Sequence, residues 1–103
     1  MKKSKHDERA EGQLLLLSGI IAKIDAELVS LLARRMEIAE DVAQFKMKCG
    51  SPILREKVER QRTKKMVELA REAGLDPEFV RAVAYLVIAE SCRVQLRTKE
   101  SGE

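Results

Sequence analysis

Between Leu17 and Lys46 the apolar residues fall alternately four and three apart: Leu17, Ile21, Ile24, Leu28, Leu31, then Ile38, Val42 and Phe45. That period is the seam of one long amphipathic helix, and no strand can use it. One place in the seam is held by Arg35. A guanidinium buried without a partner costs several kcal/mol, so an anion is expected beside it. Lys46 follows eleven residues later. Eleven steps of about 100° return to within roughly 20° of the same face, about 16 Å along the axis. Two long cationic side chains on one wall can close onto a small dianion.

The helix is expected from about Ala10 to Lys48, after a polar tail over 1–9. Gly50-Ser51-Pro52 stops it, glycine as a left-handed cap and proline unable to continue. Gly19 lies inside the Leu-rich run, and at about 1 kcal/mol against alanine it is not expected to break the helix. Such a helix is about 55 Å long. A compact domain of about 100 residues has a radius of gyration near 13 Å. A seam that outruns its own globule calls for a second protomer, and the expected assembly is a homodimer.

A second helix is expected over Arg55–Ala73, with a seam Glu59, Arg62, Met66, Leu69, Ala73 closed by Gly74. The third opens on Asp76 as N-cap, Pro77 in the first position and Glu78 in the first turn. Its face is Val80, Ala84, Val87, Ser91, Gln95, and residues 99–103 are a tail. The fold class is therefore all-α: three helices per chain, one very long and two shorter, in one domain over 10–98.

Composition narrows the function. Charged residues make up 36% of the chain with both signs interleaved, and the net charge is only +3. That describes solvated helix faces. With aromatics at 3%, only Phe45, Phe79 and Tyr85 could stack on nucleic acid, and all three fit helix faces. The apolar run Leu14–Ala22 follows Lys2, Lys3 and Lys5 as in a leader peptide. However, Asp7, Glu8 and Glu11 precede it and it continues in phase into the seam, which favours a helix in a cytoplasmic protein. No stretch is long enough to span a membrane. Cys49, Cys92 and the lone His6 have no metal-ligand spacing. Free thiols are the default for a reducing compartment, although the sequence is also compatible with a Cys49–Cys92 bridge.

Each helix carries polar residues where its period asks for apolar ones: Arg35 and Lys46, then Glu59, then Ser91 and Gln95. Each alone has an ordinary explanation. Glu59 suits a helix first turn and Lys46 a last turn. Ser91 can bond back to a carbonyl. Gln95 can be frayed, and Arg35 can pair with Glu59 or Glu90. The same departure on all three helices is more economically explained by a polar pocket inside a helical bundle.

The ordered set Ile24-Asp25, Leu31-Leu32-Ala33-Arg34-Arg35, Lys46, Pro52-Ile53, Glu59-Arg60 and Glu90-Ser91 through Gln95 resembles the all-helical (AroQ) class of chorismate mutase. The match runs from about Ile24 to Gln95 without a gap. The resemblance implies three helices per chain intertwined into a dimer with two active sites, and rearrangement of chorismate, a dianion, to prephenate without cofactor or metal, as a step of aromatic amino-acid biosynthesis. It implies that Arg35 binds a substrate carboxylate, that Lys46 and Gln95 hydrogen-bond the ether oxygen, that Glu59 holds the ring hydroxyl and that Ser91 lines the carboxylate end.

Three positions depart from the family pattern. Ser18 stands where an arginine usually reaches into the partner's site. Arg55 stands where an acidic residue is common, and Val58 where an arginine usually precedes the catalytic glutamate. Arg55 is a candidate to replace the missing guanidinium. The Arg34-Arg35-Met36 and Phe45-Lys46 pairs also look like isochorismate pyruvate lyases of the same fold. The departures suit as well a non-catalytic helical dimer that binds an anionic metabolite or a partner helix.

Overall fold

The computed structural model describes residues 4–102. They form three helices: α1 (Lys5–Cys49), α2 (Glu56–Glu72) and α3 (Pro77–Ser101). No strand occurs among the described residues. The chain divides into two compact units, one up to Ala33 and one from Arg34 onward.

α1 begins five residues before its expected start. Ser4 caps it, the hydroxyl accepting from the Asp7 N–H at 3.1 Å and the carbonyl from Glu8 N–H at 3.1 Å. Asp7 and Glu8 in the first turn complement the dipole. Lys5–Arg9 of the expected tail are therefore helical, while Met1–Lys3 lie outside the described residues. Gly19 sits within the unbroken helix. At the other end, Gly50 takes φ 70°. The Ser51 N–H reaches the Lys46 carbonyl at 2.9 Å and the Gly50 N–H reaches Met47 at 3.4 Å, a paired closure of the last turn. Gly74 (φ 76°) ends α2 in the same way, with Leu75 N–H on the Ala70 carbonyl at 2.8 Å.

Arg55 is the N-cap of α2 rather than its first helical residue, and its side chain makes no capping bond. α3 opens as expected, the Asp76 carboxylate accepting from the Glu78 N–H at 3.0 Å. It also runs on through residues 99–101, expected as tail, to a cap at Gly102, while Glu103 lies outside the described residues.

In the unit from Arg34 onward, the buried apolar residues are Ala39 and Ala43 of α1, Val67 and Ala70 of α2, and Val80, Ala84 and Val94 of α3. All are small, which lets helix axes approach closely. This corrects the seam expected on α2. On α2 the buried residues are Val67 and Ala70; of the expected seam, Glu59 and Met66 are half-buried, while Arg62, Ala73 and Leu69, 48% exposed, are not covered. On α1 the chain buries Ala39 and Ala43, one residue beyond Ile38 and Val42, which stay exposed with Phe45. The face of α3 stands as expected: Val80, Ala84 and Gln95 are buried, Val87 and Ser91 half-buried.

The unit up to Ala33 is a single helical stretch among its described residues. Leu17, Ile21, Ile24, Leu28 and Leu31 are all exposed, as are Leu14, Leu15, Leu16 and Ile20. The heptad seam is thus helical as expected, and this chain alone does not cover it.

Candidate active site

Three helix segments bring the expected polar residues around one cavity of about 220 Å³, lined by Arg35 and Lys46 of α1, Arg55, Glu59 and Arg62 from α2 and its cap, and Ser91 and Gln95 of α3. Ile38, Ala39, Val42 and Val58 supply its apolar wall. All six residues singled out from the sequence are there. Ser18 belongs to the other unit.

Lys46 is the hub. Its ammonium donates to the Ile53 carbonyl at 2.6 Å and to Gln95 Oε1 at 2.8 Å. The first bond ties the turn between α1 and α2 to the cavity wall. The second orients Gln95, because an ammonium can only donate and so must face the amide oxygen. Gln95 Nε2 then donates to Ser91 Oγ one turn earlier, at 3.1 Å. Gln95 is 5% exposed, the one buried polar side chain among the described residues, and burial without these partners would cost about 1–3 kcal/mol. It is locked from both sides rather than frayed, and Ser91 accepts from it rather than bonding back to a carbonyl. An ammonium has three N–H groups and a primary amide two. The network leaves one N–H on Lys46 and one on Gln95.

Glu59 sits in the first turn of α2, half-buried, and faces two spaces. One is the cavity above; the other is a larger groove of about 810 Å³ between α2 and α3, walled by Val67, Tyr85, Ile88 and Cys92. That groove holds Arg60, Lys64, Arg71 and Arg81 with Glu59 and Glu68, but none of Arg35, Lys46 or Gln95, so only the smaller cavity gathers the residues singled out from the sequence. Glu90, considered as a partner for Arg35, is instead bonded by Arg93, which holds its carboxyl below the usual carboxylate range. Cys92 and Cys49 are both free. Burial, with the Glu59 carboxylate nearby, pushes the Cys92 thiol up.

Arg62 was named from the sequence only as part of a helix seam. It stands three residues beyond Glu59 and seven beyond Arg55, so all three share a face of α2. The spacing carried the signal; the assumption that this face was the packing seam hid it. Ile53 enters the sequence reading only within the Pro52-Ile53 pair of the family pattern, which assigns its carbonyl no role. With Arg35, Lys46, Arg55 and Arg62 against Glu59, cations outnumber carboxylates four to one around the cavity.

Residues 17–96 match the model of the chorismate mutase type II family. The chain belongs to that family. Relatives that bear this name in a longer form are the bifunctional chorismate mutase/prephenate dehydratases of Enterobacter agglomerans, 32% identical over 82% of this chain, and of Escherichia coli strain K12, 29% identical over 84%. That of Buchnera aphidicola is also 29% identical over 84%. The chain spans 22% of the length of each. Among the described residues there is no cluster of groups able to hold a metal ion, and no helix is long and apolar enough to cross a membrane.

Proposed function

We propose that the protein is a chorismate mutase, converting chorismate to prephenate in aromatic amino-acid biosynthesis, in a cavity built from Arg35, Lys46, Glu59, Ser91 and Gln95. The observation that carries this is the Lys46–Gln95–Ser91 network, which leaves one N–H on each of Lys46 and Gln95 beside a cationic wall. The rearrangement breaks one C–O bond and forms one C–C bond within a single molecule. Six electrons move in a ring, and no proton, electron or atom enters or leaves. It needs no nucleophile and no cofactor, only a folded conformer of the substrate and a sink for negative charge on the ether oxygen.

Arg35 and Arg55 bind the two carboxylates and hold the side chain over the ring, which supplies the entropic part of catalysis. The free N–H groups of Lys46 and Gln95 meet the ether oxygen as its charge grows, the preorganised donor effect that is worth most in the transition state. Glu59 accepts from the ring hydroxyl.

The working form is an intertwined homodimer. Leu17, Ile21, Ile24, Leu28, Leu31, Ile38, Val42 and Phe45 are all exposed in the single chain, and a second copy laid along them removes them from water. Each such side chain contributes about 1.5–3 kcal/mol when fully buried. The two free thiols suit a reducing cytoplasm.

The Arg34-Arg35-Met36 and Phe45-Lys46 pairs, with Arg55 on the cavity wall, support one second reading: a relative that acts on a different dianion, such as isochorismate with release of pyruvate. The experiment is to mix the purified protein with chorismate and follow loss of its ultraviolet absorbance, with Arg35→Ala as control. Turnover in the wild type alone supports the mutase. A folded, inactive wild type refutes it, and pyruvate release from isochorismate then supports the second reading.

A further inference from the structure

The first half of α1 carries a second apolar face. Gly12, Leu15, Leu16, Gly19, Ile20 and Lys23 line one continuous surface hollow. At about 100° per residue this stripe is centred roughly 130° around the helix from the Leu17–Ile21–Ile24–Leu28 seam. One partner helix cannot cover both. Leu15, Leu16 and Ile20 are all more than half exposed. A Cβ on Gly12 or Gly19 would meet nothing within 4 Å, so each glycine is an open notch on the helix surface. Two glycines in mid-helix weaken the helix, a cost explained if another backbone must come close there.

The stripe is self-complementary when turned end to end. In an antiparallel pair centred between Leu15 and Leu16, Gly12 faces Gly19, Leu15 faces Leu16, and Glu8 faces Lys23. Glu8 and Lys23 lie on this same face, one at each end. A parallel pair would put Glu8 on Glu8 and Lys23 on Lys23, which is repulsive. We propose that this face of α1 is a two-fold, antiparallel contact with a second copy of the chain, separate from the heptad seam, so that the assembly built through the seam is doubled. Leu15, Leu16 and Ile20 exclude water at its centre, the glycine notches let the helices close, and a Glu8–Lys23 pair at each end sets direction and register.

The test is the mass of the full chain in solution by sedimentation. Wild type is expected at twice the mass of Gly19→Leu, whatever state the seam builds, because leucine fills the notch. Leucine is also the better helix former, so loss of folding does not explain the halving. Glu8→Lys and Lys23→Glu singly are expected to halve the mass, and the double variant Glu8→Lys/Lys23→Glu to restore it. Equal masses for wild type and Gly19→Leu would overturn the proposal and leave the face to some other partner. Failure of the double variant to recover the mass would also overturn it. Neither readout depends on turnover, so an inactive protein would refute the proposed mutase and leave this contact untouched.

Discussion

Lys46→Met separates catalysis from scaffolding at the hub of the site. Methionine keeps an unbranched chain of similar reach and a good helix propensity. It removes the donor proposed for the ether oxygen and the two bonds to Ile53 and Gln95 at 2.6 and 2.8 Å. Loss of one preorganised donor costs about 2.7–4 kcal/mol of transition-state stabilisation, or 10²–10³ in kcat. Because charge on the ether oxygen develops only as the bond breaks, the loss belongs in kcat, and KM should move less than about threefold. The two lost bonds act on stability instead. Bonds to charged groups are worth about 1.5–3 kcal/mol each. Lys46 is half-buried and its desolvation is relieved by the change, so a net loss of about 1–3 kcal/mol is expected. Steady-state kinetics on chorismate, with thermal unfolding in parallel, reads both. A fall in kcat of less than about tenfold in a folded assembly would refute the donor role. A raised KM at unchanged kcat would make Lys46 only a clamp on the turn after α1.

Arg55→Ala and Arg62→Ala should each raise KM about tenfold with kcat nearly unchanged, as loss of one charged contact to a carboxylate predicts; unchanged KM in both would remove α2 from substrate binding. Gly74→Ala forces alanine to φ 76° and should cost about 1–2 kcal/mol by denaturant unfolding, with no cost expected at all if α2 can end another way. The hydrogen bonds from Arg93 hold the Glu90 carboxyl below its ordinary range. A depressed folded-state pKa gives stability that is present above the unfolded value and lost as pH falls through the folded one. The acid limb of the unfolding curve below about pH 4.5 should therefore flatten in Glu90→Gln, and an identical limb would deny the pair any part in stability.

The helices were largely legible because their signals are local. Gly50, Gly74 and the Asp76-Pro77 opening each act within a few residues, and the structure shows them doing what their chemistry dictates. The early start of α1 was missed because Ser4 looks like any other tail residue until its hydroxyl meets the Asp7 N–H. Which stripe of an amphipathic helix packs inside the chain was less legible. α1 and α2 each carry two adjacent stripes, one of large residues and one of alanine, valine or threonine. Period favours the large one, but close helix approach selects the small one, so Ala39, Ala43, Val67 and Ala70 are inside while Ile38, Val42 and Leu69 are not. The gathering of Arg35, Lys46, Glu59, Ser91 and Gln95 was legible because polar breaks in an apolar period had to meet somewhere.

That choice of stripe has a consequence for the cavity. Because α1 turns its alanines toward α2 and α3, the flanking Arg35 and Lys46 are half-buried at the edge of the contact. From there Lys46 reaches Gln95 without full desolvation. A larger residue at Ala39 or Ala43 would push α1 away by about the length of a methylene or more. The Lys46–Gln95 distance of 2.8 Å has no slack for that. The small core is thus a condition for the polar network as well as for packing. It also leaves the large side chains of α1 outside. If the proposed dimer forms, the seam that covers Ile38 and Val42 also closes the apolar wall of the cavity, since both residues line it. Assembly and site would then share the same side chains, and loosening the seam should lower affinity for substrate before it lowers kcat.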